Sequence, residues 1–401
     1  MKRSTSAVSA AVLPTTLDTS PPHNHLAEAH RKFPSASYRM ALPPPGQSRR
    51  PRLRIPLAAL ALTFQLIVRP VAAQAPDIRV SGAAEYEGCR IELEHVATIG
   101  TADDEHLYRQ FSQIVRGPGS YYYVADGYTP GVILVYDSTG TFTRTIGRSG
   151  RGPGELAGEV LIGVSPDDSL YVASNGRITI FSASDGTAAR SWNHGVNLWD
   201  LAVLQPGIIA AGRAPNTDLE TVRIFNADGS RRATIHHDGI LQHRHQIAQR
   251  LHLAGDTLLL VSDVGRYRLR AFDPDGRRRW TVEREVDWFP PYARQPRGAV
   301  IRVPSLPDVV GAWIESDRYL WVLLERPAAN WKPVENLREP DFNTVLGSHL
   351  EVIDLQSGRV IASRRLDWLR PAGGGQPFLY TARYADMGHV VFDVWHVKIA
   401  H

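Results

Sequence analysis

The amino-acid sequence predicts an all-β fold: a six-bladed β-propeller of four-stranded antiparallel blades, closed by an N-terminal strand. Short turns rich in Asp, Ser and Asn end on glycine, and the first four of these glycines are about 43 to 47 residues apart: Gly140, Gly186, Gly229 and Gly276. Runs rich in Val, Leu and Tyr precede the turns, and no amphipathic helix pattern follows residue 75. A four-stranded unit repeating at this interval is typical of a propeller blade.

The fifth turn ends on Gly358, about 82 residues after the fourth, which we interpret as one blade with an insertion rather than two blades. The final blade has too few strands for a four-stranded sheet, and the alternating segment Arg90–Ile99 is predicted to complete it. This pairing would close the ring and remove two exposed sheet edges. A β-sandwich is the alternative, but it does not explain five similar turns. The predicted blades span 120–146, 160–192, 198–235, 246–283, 309–366 and 378–399.

The N-terminal region predicts export. Residues 1–54 are rich in Ser, Pro, Ala and Arg and are interpreted as a disordered or wrongly assigned extension that ends in a basic cluster. An apolar run and the small residues Ala73 and Ala75 follow, so 55–75 is predicted to be a signal peptide cleaved near Ala75. The apolar run is shorter than the roughly 20 residues that span a bilayer. We expect one mature domain, 76–401, in the periplasm or outside the cell, with Met40 as an alternative start to Met1.

The leader reverses the charge of the chain. The formal net charge is +4, but residues 1–75 hold ten basic and two acidic side chains, which leaves a net of −4 for the mature part. A nucleic-acid partner therefore loses its main support, because such a partner requires a basic face. The single cysteine, Cys89, allows no intramolecular disulfide, so core burial must stabilise the fold. We expect a monomer.

Two segments resemble known propellers. The stretch 147–156, Gly-Arg-Ser-Gly-Arg-Gly-Pro-Gly-Glu-Leu, resembles the blade linker of NHL-repeat and related TolB-like six-bladed propellers. The stretch 288–292, Trp-Phe-Pro-Pro-Tyr, with Tyr-Leu-Trp-Val at 319–322, is similar to exported bacterial six-bladed propeller proteins that have no assigned reaction. These resemblances imply the fold and export, and no chemistry.

The resemblance also implies that long loops gather on one face around the central channel, at 126–131, 147–159, 213–218, 236–245, 287–297 and 326–347. The planar guanidinium groups expected there suit carboxylate, sulfate or phosphate, and the aromatic rings could stack on a sugar or peptide. Alternatively, the arginines pair with turn carboxylates, Trp288 and Tyr292 pack a blade junction, and Trp331 anchors the insertion. The candidate ligand-binding residues are Arg148, Arg151, Arg213, Trp288, Tyr292, Arg326 and Trp331.

Catalytic and metal motifs are weak. Among five clustered histidines (His236, His237, His243, His245 and His252), His243 and His245 are the candidates for holding a divalent metal in the central channel, although their spacing matches no metal motif. Solvated linker histidines are the alternative interpretation. The sequence has no Gly-x-Ser-x-Gly element, and its Gly-rich run at 150–154 lacks the Lys-Ser/Thr pair of a phosphate loop. Glu155 is expected to accept hydrogen bonds from the backbone of that run.

Two functions from different classes therefore stay open. The favoured hypothesis is an exported, non-catalytic binding or scaffolding propeller that recognises a peptide, a glycan, a small anionic ligand or a cell-envelope protein through its loops. The alternative is a metal-assisted hydrolase or lyase, because gluconolactonase-like and amidating-lyase propellers hold a divalent ion in the channel. The sequence offers no residue-by-residue match to the metal ligands of either family.

Overall fold

The computed structural model describes the chain from residue 75 to residue 400, with gaps. The gaps are 83–88, 102–112, 126–130, 159, 196–197, 206, 214–219, 237–248, 256, 264, 291–303, 305, 333–341, 374–376 and 386–388. The predicted N-terminal extension and all but the last residue of the predicted signal peptide lie outside the described residues.

The described strands form six large sheets, five of four antiparallel strands and one in which a fifth strand pairs in parallel at the edge, and a separate two-stranded sheet. Two strands, β1 (Asp77–Val80) and β2 (Arg90–Ile99), precede the first blade. Blade 1 contains β3 (Gln113–Arg116), β4 (Tyr122–Ala125), β5 (Ile133–Tyr136) and β6 (Phe142–Ile146), and a short pair follows it, β7 (Arg148–Ser149) and β8 (Glu155–Leu156). Blade 2 contains β9 (Val160–Val164), β10 (Ser169–Ser174), β11 (Arg177–Ser182) and β12 (Ala188–Asn193). Blade 3 contains β13 (Leu198–Gln205), β14 (Ile208–Arg213), β15 (Glu220–Asn226) and β16 (Arg231–His236).

The remaining three blades follow the same plan. Blade 4 contains β17 (Gln249–Ala254), β18 (Leu258–Asp263), β19 (Arg268–Phe272) and β20 (Arg278–Arg284). Blade 5 contains β21 (Asp308–Glu315), β22 (Tyr319–Pro327), the one-turn helix α1 (Phe342–Val345), β23 (Leu346–Asp354) and β24 (Arg359–Asp367). Blade 6 contains β25 (Arg370–Pro371), β26 (Phe378–Tyr384) and β27 (Val390–Ala400). The fourth and fifth glycine turns therefore lie in consecutive blades, 4 and 5, as the insertion interpretation predicts.

An N-terminal strand closes the ring. Strand β2 pairs antiparallel with β27, from Arg90 opposite Ala400 to Ile99 opposite Phe392, and supplies the outermost strand of blade 6. The prediction of this closure is confirmed. The predicted blade bodies omitted β3 and β25, the innermost strands of blades 1 and 6, because strands of four and two residues are too short to show an alternating pattern.

One strand was not predicted. Strand β1 pairs in parallel with β20, with Asp77 opposite Thr281 and Val80 opposite Arg284, and makes blade 4 five-stranded. Val80 is buried in the core between blades 4 and 5, and Arg284 Nη1 donates a hydrogen bond to the carbonyl of Gly82 at 3.1 Å. The first residues after the predicted cleavage site are therefore part of the propeller.

The core consists of six clusters of buried apolar side chains, one between each pair of neighbouring blades. Trp321, for example, is fully buried between blades 5 and 6, and Phe392 is fully buried between blades 6 and 1. Six clusters at six junctions show that the ring is closed, because an open array would leave one junction without a partner.

The five predicted turns each join the third and fourth strands of a blade, from blade 1 to blade 5. In the first, Asp137 Oδ1 accepts hydrogen bonds from the backbone N–H of Thr139 at 2.9 Å and of Thr141 at 3.0 Å. Gly140 closes it at φ +88°, where a Cβ atom would lie 2.2 Å from the carbonyl oxygen of Thr98 in β2. The repeat in the sequence is thus the repeat of one hairpin turn.

Candidate functional site

The alternation of strand direction defines a loop face. Because neighbouring strands are antiparallel, three features lie on the same side of the ring: the start of each innermost strand, the linker before it, and the loop between the second and third strands. Loops on a rigid scaffold are where binding residues concentrate. The predicted site residues that fall on this face are considered first.

Part of the predicted set lies outside the described residues: Tyr292, His243, His245 and the side chain of Arg213. Arg148 and Arg151 are exposed in the linker between blades 1 and 2. Arg148 Nε lies 3.1 Å from Glu155 Oε1, and Glu155 Oε2 accepts a hydrogen bond from the backbone of Gly152 at 2.7 Å. That backbone hydrogen bond, and then Arg148, lower the pKa of Glu155. Glu155 therefore accepts a backbone hydrogen bond from the Gly-rich linker, as expected, and Arg148 already has Glu155 as an ion-pair partner.

Two predicted residues meet at the junction of blades 4 and 5. Arg326, near the end of β22, places its guanidinium carbon 4.8 Å from the ring centre of Trp288, which lies in the linker after β20. The Trp288 ring stacks on His349 of β23, with 4.6 Å between ring centres and 12° between planes. We call Trp288, Arg326, His349 and the neighbouring Arg365 the junction cluster. His349 and Arg365 were missed, since both occupy ordinary positions in strands and carry no local signal.

The hydrogen bonds of His349 define its tautomer. Arg326 has only donors, so its Nη1, 3.2 Å from His349 Nδ1, must donate to that nitrogen. The proton of the neutral ring therefore sits on Nε2, which donates to the hydroxyl of Ser363 at 2.6 Å. Burial, and then Arg326 and Arg365, lower the pKa of His349 to about 4. A histidine that donates to a serine cannot also remove its proton, so this pair is not arranged as a base and nucleophile.

The junction cluster brings two positive charges, those of Arg326 and Arg365, near each other. Burial, and then the charge of Arg365, lower the pKa of Arg326. Within the described part of the chain, Arg326 has no ion-pair partner, and its Nε is buried without a hydrogen-bond partner. Arg365 donates to the carbonyl of Pro327 at 2.8 Å and lines a cavity of about 420 Å³ together with Asn330 and Asp367, whereas Arg326 is not part of the wall of that cavity. One of the two guanidinium groups, that of Arg365, therefore borders an opening.

The carboxylate of Glu351 has Oε1 3.8 Å from His349 Nε2, but its closer contacts are with blade 4. It lies on β23 beneath the cluster, where Arg284 Nη2 donates to Oε1 at 3.1 Å and Arg284 Nε lies 2.8 Å from Oε2. Tyr267 donates its hydroxyl to Oε2 at 2.8 Å, and burial, and then Glu351, raise the pKa of Tyr267 well above its usual value. These three side chains are almost fully buried and join blade 4 to blade 5.

Trp331 belongs to the insertion of blade 5. Its backbone N–H donates to Ala328 at 3.3 Å, and its ring is half-buried. The indole nitrogen is buried and has no hydrogen-bond partner in the described segments. Trp331 is therefore held by the insertion rather than displayed, and no contact joins it to the junction cluster in the described part.

The described histidines do not form one cluster. His252 is buried on β17, where its Nε2 lies 3.0 Å from Ser262 Oγ, and burial, and then Arg250, lower its pKa to about 3. The solvated-linker interpretation is thus wrong for His252, because a strand carries it into the core. His236 is exposed at the end of β16. Among the described residues, no group of three or more His, Cys, Asp or Glu side chains is placed to hold a metal ion.

Comparisons with known proteins agree with this architecture. The family model DUF5128, described as a 6-bladed beta-propeller, matches residues 100–182, which hold blade 1, its linker and most of blade 2. The chain is a six-bladed β-propeller. No curated protein sequence matches it. None of the helices in the described ranges is long and apolar enough to cross a membrane.

Two solved structures share the fold at low identity. One is a member of the DUF4221 family from Bacteroides vulgatus, 14% identical, with a TM-score of 0.55 over 79% of this chain and 100% of that chain. The other is a protein of Bacteroides fragilis named for its inferred export, 10% identical, with a TM-score of 0.51 over 80% of this chain and 100% of that chain. At this identity the likeness concerns the fold alone.

Proposed function

We propose that this protein is an exported, non-catalytic binding propeller that holds an anionic group of its ligand at the junction cluster. The observation that carries the proposal is the pair Arg326 and Arg365, which lie together on the loop face without an ion-pair carboxylate among the described residues. Most arginines elsewhere in the described blades pair with a carboxylate or a main-chain carbonyl; Arg365 shares this with them through the carbonyl of Pro327, whereas Arg326 has neither kind of partner in the described residues. A carboxylate, sulfate or phosphate group would neutralise the pair.

The geometry around Arg326 favours recognition of a planar or tetrahedral anion. Trp288 packs against the guanidinium and His349 holds Nη1, so the side chain is oriented before a ligand arrives. A pre-oriented guanidinium loses little side-chain entropy on binding, and its charge-assisted hydrogen bonds are among the strong ones. Burial is the main cause of the low pKa of His349, and the charges of Arg326 and Arg365 lower it further.

Export is part of the proposal and depends on the predicted signal peptide at 55–75. The similar fold of the Bacteroides fragilis protein supports it. The mature domain would then begin near Ala75 and span 76–401, in the periplasm or outside the cell. The ligand in that compartment would be an acidic peptide, a charged glycan or a small anion.

The test compares Arg326→Ala and Arg326→Lys with the wild type and with Arg148→Ala. Arg148 is a matched control, because it also lies on the loop face but is paired with Glu155. Isothermal titration calorimetry with phosphate, sulfate, glucuronate and an acidic peptide should show binding that weakens about tenfold or more in Arg326→Ala. The Arg326→Lys variant should recover part of the loss, since it keeps the charge without the planar geometry.

Three results would contradict the proposal: equal losses in Arg148→Ala and Arg326→Ala, no binding of any anion, or substrate turnover that a loop-face substitution abolishes. Thermal unfolding of each variant serves as the folding control.

A further inference from the structure

The central channel contains a second polar site, at its loop-face end. The six innermost strands enclose a cavity of about 610 Å³. A cavity of this volume is in the usual range for small-molecule sites. Polar residues near the starts of four of these strands line it: Gln113, Asp200, Arg250 and Arg370. They come from blades 1, 3, 4 and 6, so only the closed ring brings them together.

The charges of this site are already paired. Arg250 Nε lies 3.1 Å from Asp308 Oδ2, and Arg370 Nη2 lies 2.7 Å from Glu325 Oε2. Among the described residues, Asp200 has no ion-pair partner but accepts hydrogen bonds from the backbone N–H of Leu201 at 2.8 Å and of Leu251 at 2.9 Å. Three carboxylates face two guanidinium groups, so an added anion would meet a formal excess of negative charge.

A cationic ligand is disfavoured for a different reason. The oxygens that could pair with an ammonium group are engaged: both oxygens of Asp200, Oδ2 of Asp308 and Oε2 of Glu325, which also accepts from Trp368 at 3.0 Å. The other oxygen of Asp308 has no hydrogen-bond partner among the described residues, but it is buried and therefore out of reach of a ligand. Burial raises the pKa of Asp200 and of Asp308, as expected for carboxylates with little solvent around them.

Hydrogen-bonding groups nevertheless stay available. Only Nε of Arg250 has a hydrogen-bond partner in the described residues, so its two Nη nitrogens keep donors for an occupant of the cavity. The indole N–H of Trp313, a wall residue further along β21 that packs in the core between blades 5 and 6, is buried and unpartnered in the same part of the chain. Buried donors without partners commonly mark a place where water or a ligand binds.

Two ion pairs, free guanidinium donors and small volume describe a site for hydroxyl groups. We propose that the loop-face end of the channel binds a neutral, hydroxyl-rich ligand of one or two sugar rings. Sugar hydroxyls accept from the Arg250 Nη groups, with no net charge transferred into the channel. This site is separate from the junction cluster, and its ligand differs from the anion proposed there in charge.

The experiment uses a variant that removes opposite charges together. Arg250→Gln with Asp308→Asn removes one charge of each sign and keeps the net charge of the channel unchanged, and Arg232→Gln with Asp275→Asn makes the same exchange in a matched control pair between the exposed turns of blades 3 and 4. Saturation-transfer NMR and calorimetry would compare mannose, methyl glucoside and maltose with glucuronate, glucosamine and alanine. Thermal unfolding would confirm that each variant is folded.

The expected result is binding of at least one neutral sugar, weakened about tenfold or more by the channel double variant and unchanged by the control. Preference for glucuronate, glucosamine or alanine would overturn the proposal, as would neutral-sugar binding that the channel variant leaves intact. Absence of sugar binding up to millimolar concentration would overturn it too. If glucuronate alone binds and Arg326→Ala abolishes that binding, the channel proposal fails while the junction-cluster proposal stands.

Discussion

The ion pair between Arg284 and Glu351 links blades 4 and 5, and Glu351→Ala is expected to destabilise the fold by about 3–5 kcal/mol. Both side chains are only 2% exposed. Alanine would remove the two contacts with Arg284 and the hydrogen bond from Tyr267, and would leave a guanidinium group buried without a counter-charge. The cost therefore comes mainly from the unpaired charge rather than from the lost attraction.

The assay is equilibrium urea unfolding followed by tryptophan fluorescence. The paired replacement Arg284→Met with Glu351→Leu should recover most of the lost stability, because it removes both charges from the junction. Glu94→Ala is the control: its pair with Lys398 is exposed on blade 6, and the change should cost less than about 1 kcal/mol. A loss below about 1 kcal/mol in Glu351→Ala, or a double variant no more stable than Glu351→Ala, would refute the reasoning.

Three further outcomes are expected. The hydrogen bond from Arg318, assisted by the backbone of Gln356, lowers the pKa of Asp354 from 3.8 to about 2. The Asp354 carboxylate therefore contributes to stability above pH 4, and this contribution is lost as the pH falls towards 2. In acid unfolding, Asp354→Asn should show a shallower loss of stability over that range. In the turn after β21, Ser316 and Asp317 have φ values of 53° and 55°, a region that glycine adopts more easily than other residues. Asp317→Gly should therefore raise the free energy of unfolding by about 1 kcal/mol. The control Ser138→Gly should not raise it, because φ is not positive at Ser138. Gly140→Ala should lower the midpoint of thermal unfolding, because its Cβ would clash with the closing strand β2, and an unchanged midpoint would show that the turn does not support ring closure.

The fold was predictable because its signals are local. Each Asp-rich turn satisfies its own backbone donors within about four residues, as Asp137 does with Thr139 and Thr141. The same turn is needed wherever the third strand of a blade is joined to the fourth, so the Asp-rich pattern recurs in the sequence once per blade. The alternation of β2 was also visible, and an incomplete last blade left only one place for it.

The short strands were not predictable from pattern. Strands β1 and β25 have four and two residues, and their pairing depends on neighbours that are distant in the sequence. Arg326 and Trp288 were found because a resemblance placed both on the loop face. Their contact with His349 could not be found, since a single histidine in an alternating strand has no distinguishing neighbour.

The sequence by itself determined the blade count, the closing strand and the turn chemistry, because these depend on period, alternation and short-range hydrogen bonds. It also carries the predicted export signal. The tertiary structure alone decided which charges meet: Arg326 is opposed by Arg365 rather than neutralised, whereas Arg250 and Arg370 are paired across the channel with Asp308 and Glu325. Electrostatic pairing depends on distances of a few ångströms between residues far apart in the chain, and those distances exist only once the ring has closed.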